Sequence, residues 1–424
     1  MKFIYKLLSL SLAIACLSGC SAANTEIASS SAATATVTPT TDSTEVPASN
    51  NVFTSAGDGL YVTTDSGIYE LQTVFPDSAN IFYTDANTKE RIFLCANPNC
   101  THADESCPSY IATPSAMFPP MLLRVGDQLL VVFTEATDSS NPHGMLMNMD
   151  GSNRRTVFEL ASNQYMQGGF CTSGNDLYFD LYEINDSGNV TYQLWYVSFE
   201  NGTSEKVMDL GSDSDHYSLC DGANNELCFN HVSSDGISYC MYNPQGKTIS
   251  DPFFVDSSVS GNSMIQDGYL FVLDEQASSV QRIRLSDKEQ ASASFTVKEG
   301  FGAPSMRYLF DGNLMITEAQ TTASDIPTDG SYGVCSYILD FGTRNCTEFT
   351  LQTPYNNRPV YVLTTIGDAC YVATDYKTYT PTSVSEDGTV SNFDYVANIY
   401  AFITKQDYIN SNQNGYSMVK DAFE

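Results

Sequence analysis

Three cysteines and one of only four histidines fall within 13 residues, as Cys95, Cys100, His102 and Cys107, spaced C-x4-C-x-H-x4-C. Thiolate and imidazole suit a borderline-soft ion, and Cys3His is a recognised tetrahedral zinc set. The spacing matches no common zinc finger, although its H-x4-C half resembles a zinc knuckle; nor is it the C-x-x-C-H of haem attachment. Four protein ligands leave no open coordination position, so one zinc held here would be structural. The same residues allow a second use, a disulfide between two of the cysteines with one thiol left over and His102 in solvent. Residue types alone leave both open.

The rest of the chain offers less chemistry. No G-x-S-x-G elbow, H-E-x-x-H helix, Walker loop or dinucleotide fingerprint occurs. His143, His216 and His231 have no ligand spacing to one another, and the acidic loop Asp209, Asp213, Asp215 lacks the Gly and distal Glu of an EF-hand. With 50 acids, picking two as a glycosidase pair would be arbitrary. Cys228 with Cys240, and Cys335 with Cys346, flank turns at nearly matched distances; each pair reads as a cross-strand disulfide or as small core residues. Cys171, Cys220 and Cys370 read as core. Tyr is abundant at 26, but Trp195 is the single Trp, which allows a sugar platform without supporting one. No catalytic set emerges. The expectation is a binding or scaffold module, with a polysaccharide lyase or hydrolase acting at a channel mouth as the alternative.

The elements that must carry these residues are strands. A turn pair followed by an alternating apolar strand recurs at Gly57-Asp58, Gly126-Asp127, Gly174 to Asp176, Asp221-Gly222, Asp267-Gly268, Asp311-Gly312 and Gly367-Asp368. Periods of roughly 40 to 50 residues in an all-strand chain mark propeller blades. The prediction is an all-β fold, a β-propeller of four-stranded blades over residues 52–424, with seven blades and with six or eight as alternatives. The N- or C-terminal strand is expected to complete the last blade. A Cys/His-rich insertion at 95–120 interrupts the pattern, and further loops fall at 319–333 and 377–392. Asp407 to Asn410 reads as a single helical turn.

The N-terminus supplies an address. Lys2 and Lys6 precede the apolar run Leu7 to Leu17, and Leu17-Ser-Gly-Cys20 resembles the lipobox of bacterial lipoprotein signal peptides. Residues 1–19 are thus expected to be removed and Cys20 to be lipidated, which anchors the protein to the outer face of the cytoplasmic membrane. From Cys20 to residue 51, the Ser, Thr and Ala-rich composition cannot bury enough apolar surface to offset ordering and reads as a tether. The formal charge of −31 disfavours nucleic acid, whose affinity rests on Lys and Arg. The expected partners are the membrane, through Cys20, and an extracellular glycan, peptide or protein ligand.

Two stretches resemble one family. Leu94, Cys95, Pro98, Cys100, His102 and Cys107 match Leu-Cys-x-x-Pro-x-Cys-x-His-x4-Cys, and Tyr400-Ala-Phe-Ile-Thr-Lys-Gln-Asp-Tyr408 is similar to a closing Tyr-Ala-Leu-Ile-x-Lys-x-Asp-Tyr element. Both resemble lipid-anchored β-propeller proteins of Gram-positive bacteria, of unknown function and related in fold to TolB-like propellers. The resemblance implies fold and location, and brings no activity with it.

Overall fold

The computed structural model describes residues 53–55, 59–74, 78–113, 119–256, 262–320, 333–379, 382–384, 390–392 and 395–421. The expected signal peptide, Cys20, the tether and the Gly57-Asp58 turn lie outside them, as does the centre of each of the two later loops.

The described strands form consecutive four-stranded antiparallel meanders, spanning 61–93, 121–159, 164–212, 215–256, 263–294, 301–349 and 362–418. We number these blades 1 to 7. Blades 3 and 4 share one hydrogen-bonded ladder through Gly211 opposite His216 and Ser212 opposite Asp215.

Strand periodicity explains why the blades close into a ring. Successive side chains point to opposite faces, so a strand buried on both sides serves two neighbours at once. In blade 2, Leu129 and Val131 pack toward blade 1, whereas Leu130 and Val132 pack toward blade 3. The same division runs through blades 3 to 7, giving one apolar cluster per seam. The last cluster joins Tyr371, Tyr400 and Phe402 of blade 7 to Ile68 of blade 1. Propeller closure therefore follows from the core, and the all-β β-propeller expectation holds.

The turn repeat has a second purpose. Asp267 and Gly268 take φ of 52° and 76°, the positive values a two-residue hairpin turn needs. Their neighbours also tie blades together: Asp221 Oδ2 accepts the Gly268 N–H at 2.8 Å, Asp267 accepts the Tyr308 hydroxyl, and Asp311 accepts Lys405 Nζ at 2.9 Å. These contacts join blades 4 to 5, 5 to 6 and 6 to 7.

Three expectations need correction. Asp221-Gly222 lies inside the strand Asp215–Ala223, and the turn falls at residues 224–225. The insertion is shorter than 95–120, because Tyr110–Ala112 is a strand on the edge of blade 1. A C-terminal strand, Ser417–Met418, completes blade 7 as expected; beyond it Lys420–Asp421 adds in parallel to the outer strand of blade 1, and at the other end Thr54–Ser55 pairs with the inner strand of blade 3. The turn at Asp407 belongs to a helix, Lys405–Ile409, capped by the Thr404 side chain accepting the Asp407 N–H. Among the described residues no helix is long and apolar enough to cross a membrane.

Candidate metal centre and channel-end cavity

Both ends of the insertion are pinned to one strand. Ser78–Asp85 pairs with Glu90–Phe93 through Phe82 opposite Phe93, and with Tyr110–Ala112 through Ser78 opposite Ala112. The outer strand of blade 1 is thus split, and residues 94–109 loop out between its halves. Two tight turns then deliver sulfur. The Cys100 N–H bonds Asn97 O at 3.2 Å and the Cys107 N–H bonds Asp104 O at 3.0 Å, while Asn97 and Asp104 side chains accept the N–H groups of Asn99 and Ser106. Between the turns His102 sits at φ 55°, which points its ring back toward the sulfurs.

As a result Cys95, Cys100, His102 and Cys107 place their ligand atoms all within 4.8 Å of one another. His102 Nδ1 lies 3.2 Å from Cys107 Sγ, and its ring stacks on Phe93 at 4.0 Å. A second layer supports the buried sulfur: Ser109 Oγ is 3.1 Å from Cys107 Sγ and donates to Asn80 Oδ1 at 2.9 Å. Burial pushes the Cys107 thiol up, but hydrogen bonding with Ser109, side chain and backbone, and with the His102 ring outweighs it and brings it to about 6. Burial raises Cys95 to about 11, reinforced by the neighbouring Cys107 and Cys100 sulfurs. Arg154 of blade 2 bonds the carbonyls of Pro108 and Tyr110, docking the loop onto the next blade. Such a cluster can hold a soft divalent ion such as zinc.

The other cysteines do not converge. Cys240 stands opposite Phe229, and Cys228 opposite Met241, so Cys228 and Cys240 face opposite sides of their sheet. Cys346 pairs with Leu339, four positions along the strand from Cys335. All ten cysteines of the described residues are free thiols. Each remaining histidine stacks on an aromatic ring: His143 on Phe133, His216 on Tyr192, His231 on Tyr217. Asp215 is held by His231 at 2.7 Å and Asp209 by Lys206 at 2.9 Å.

A cavity of about 870 Å³ opens at the turn end of the channel. Phe53, Met264, Met306 and Leu363 supply its apolar wall, and Gln266, Arg284 and Arg307 supply polar groups. Its acids are engaged in blade-to-blade contacts: Asp221 with the Gly268 N–H, besides that of its neighbour Gly222, Asp267 with Tyr308, Asp311 with Lys405. Burial, with Asp267 beside it, holds the Tyr308 phenol well above the usual tyrosine range. Sequence reasoning placed an alternative site at the channel mouth but named none of these residues, because the lining comes in short runs from five different blades.

Known proteins assign the chain no family and no role. No family model matches the chain, and no curated protein matches it. Among solved structures it is similar to the tricorn protease, at 11% identity and TM-score 0.31 over 81% of this chain and 35% of that one. It is similar to puromycin hydrolase at 11% identity and TM-score 0.43, over 83% of this chain and 58% of that one. An oligogalacturonate lyase from Vibrio parahaemolyticus has 9% identity and TM-score 0.38, over 82% of this chain and 91% of its own. The chain spans about a third of the tricorn protease and little more than half of puromycin hydrolase. Likenesses this distant carry no functional argument.

Proposed function

We propose that this chain is a binding module held at the outer face of a bacterial cytoplasmic membrane by lipidated Cys20, with a structural zinc on Cys95, Cys100, His102 and Cys107. Its ligand, an extracellular glycan, peptide or protein segment, enters the channel-end cavity. The observation that carries the binding reading is the state of the cavity acids. A lyase or hydrolase needs a base or paired carboxylates free to reach substrate. Asp221, Asp267 and Asp311 are spent on joining blades, and Tyr308, held neutral by burial, is a poor base near neutral pH. Apolar walls with a few polar groups instead suit ligand capture. Zinc is favoured by the donor set, since three sulfurs and one imidazole nitrogen within 4.8 Å form a closed structural site.

Glycan and peptide arrays with the soluble body, repeated with Met306→Trp to fill the cavity, test the binding reading. Loss of array binding in the variant is expected, and unchanged binding places the ligand elsewhere. Turnover of a glycan substrate by the wild type would restore the lyase or hydrolase alternative. Metal analysis of the purified body should find one zinc per chain; a native disulfide among Cys95, Cys100 and Cys107 would exclude it.

A further inference from the structure

We infer that the Cys3His centre governs closure of the propeller ring, acting through a stacked row of side chains that runs from His102 to the C-terminal strand. This rests on the metal reading above. The row is continuous: His102 stacks on Phe93 at 4.0 Å, Phe93 lies 4.5 Å from Phe82, and the Arg91 guanidinium sits 3.8 Å over Phe82 and 5.0 Å from the Tyr400 ring of blade 7. Register puts these groups on one face, since Phe93 opposes Phe82 directly and Arg91 is two residues before Phe93.

Arg91 is where the row meets the ring closure. Its side chain is buried and bonds Glu70 at 2.9 Å, Gln72 at 2.8 Å and Asp421 at 3.2 Å, while Tyr400 donates to the other oxygen of Glu70. Those partners come from blade 1, blade 7 and the last strand. That strand is two residues long, and its backbone docking runs from the Lys420 N–H to Lys89 O at 2.8 Å, beside the Val419 N–H to Tyr400 O at 2.9 Å. A strand so short binds only an edge already held in place.

The edge it needs is Glu90–Phe93, and the insertion leaves that edge poorly held. Three residue pairs join it to the neighbouring strand before the chain departs into the loop. Cys95 follows two residues after Phe93, and His102 covers the Phe93 ring, so a metal on these ligands would fix both the backbone exit and the stacked face. The seam it serves has a small apolar core. Among the described residues its buried apolar set is Ile68, Tyr371, Tyr400 and Phe402, with Tyr61, Leu363, Ile366, Ala369 and Val419 partly buried against it. Binding at one site that orders the edge used at the other is a coupling, and coupling is reciprocal.

Hydrogen exchange on the full mature chain, zinc-loaded and chelated, tests this, with zinc content measured on the same samples. Chelation is expected to speed exchange of the Val419 and Lys420 amides about tenfold, and to leave the Leu285 amide of blade 5 unchanged. Phe93→Leu keeps all four ligands; it should retain one zinc per chain while the C-terminal amides lose their response to metal. A wild type that binds zinc with C-terminal exchange indifferent to it overturns the coupling and leaves the metal reading standing. A wild type that binds no zinc overturns both. A Phe93→Leu protein that responds as the wild type does overturns the stacked row as the route. Should that variant fail to fold, Asp421→Asn supplies the reciprocal test: faster Lys420 exchange must come with weaker zinc affinity, and unchanged affinity overturns the proposal.

Discussion

The seam between blades 2 and 3 and the seam between blades 7 and 1 do the same geometric task with different chemistry. The first packs Leu123, Val125, Leu130, Val132, Leu146 and Phe158 against Met166, Phe170, Leu177, Phe179, Leu181 and Val197. The second has, among the described residues, four buried apolar ones and, beside them, the Arg91, Glu70, Tyr400 and Asp421 network, with Thr63 Oγ1 bonding Thr364 Oγ1 at 2.9 Å. Chain connectivity accounts for the difference. Blades 2 and 3 are joined by a short link from Glu159 to Gln164, which restricts how the two sheets can meet, so non-directional apolar packing suffices. Blades 7 and 1 come from opposite ends of the body and must find one another without that restraint. Directional hydrogen bonds and a buried ion pair reject wrong registers that apolar contact would tolerate.

That contrast can be broken most severely at Arg91. Arg91→Ala leaves the Glu70 carboxylate buried without its cation and should cost about 3–5 kcal/mol, read from the urea midpoint; adding Glu70→Gln should recover part of the loss, and strict additivity would refute the pairing. At the apolar seam, Leu130→Ala should cost about 3 kcal/mol by cavity formation, with C-terminal amide exchange at Val419 and Lys420 unaffected at the same denaturant-free condition.

A third seam, between blades 3 and 4, sharpens the comparison because it buries a carboxyl without a cation. Asp180 Oδ2 accepts the Leu219 N–H at 3.1 Å, and the backbone N–H groups of Gly169 and of Asp180 itself also face the carboxyl. Burial raises this carboxyl to about 7, against the pull of the Leu219 N–H. The folded state therefore keeps a proton that the unfolded chain loses near pH 4. The stabilising contribution is complete below about pH 4 and falls away as pH rises through about 7. Asp180→Asn should gain on the wild type across that window, by on the order of 2 kcal/mol at pH 8; parallel melting curves from pH 5 to 8 would show the expectation to be wrong. The smallest effect is expected at Cys346, which is exposed. Cys346→Ser should shift stability by under about 0.5 kcal/mol, and in the native protein this thiol should be alkylated well before buried Cys171, Cys228 and Cys240.

Cysteine placement shows how far the chain was legible. The four candidate ligands were visible because they are local: 13 residues of turn-forming chain can be brought to one point by turns alone, whatever the rest of the fold does. The proposed pairs Cys228 with Cys240 and Cys335 with Cys346 were not decidable in that way. A one-residue change of strand register moves a side chain to the opposite face, and the register found here puts Cys228 toward blade 5 and Cys240 toward blade 3. Asp221-Gly222 misled for a related reason, since an Asp-Gly pair that marks a turn elsewhere sits here within a strand, its carboxylate spent on the next blade.

Strand alternation, the recurring turn pair and the Cys/His spacing are properties of neighbouring residues, and from them follow the all-β propeller class, the position of the insertion and the identity of its candidate ligands. Which strand ends which blade, where the termini dock, how the cavity is lined and why Arg91 is buried depend on residues as much as 330 positions apart, as with Arg91 and Asp421. No local preference encodes such a pairing. It exists only because ring closure brings the first and last blades together, and the free energy that selects it is released when both edges are already formed.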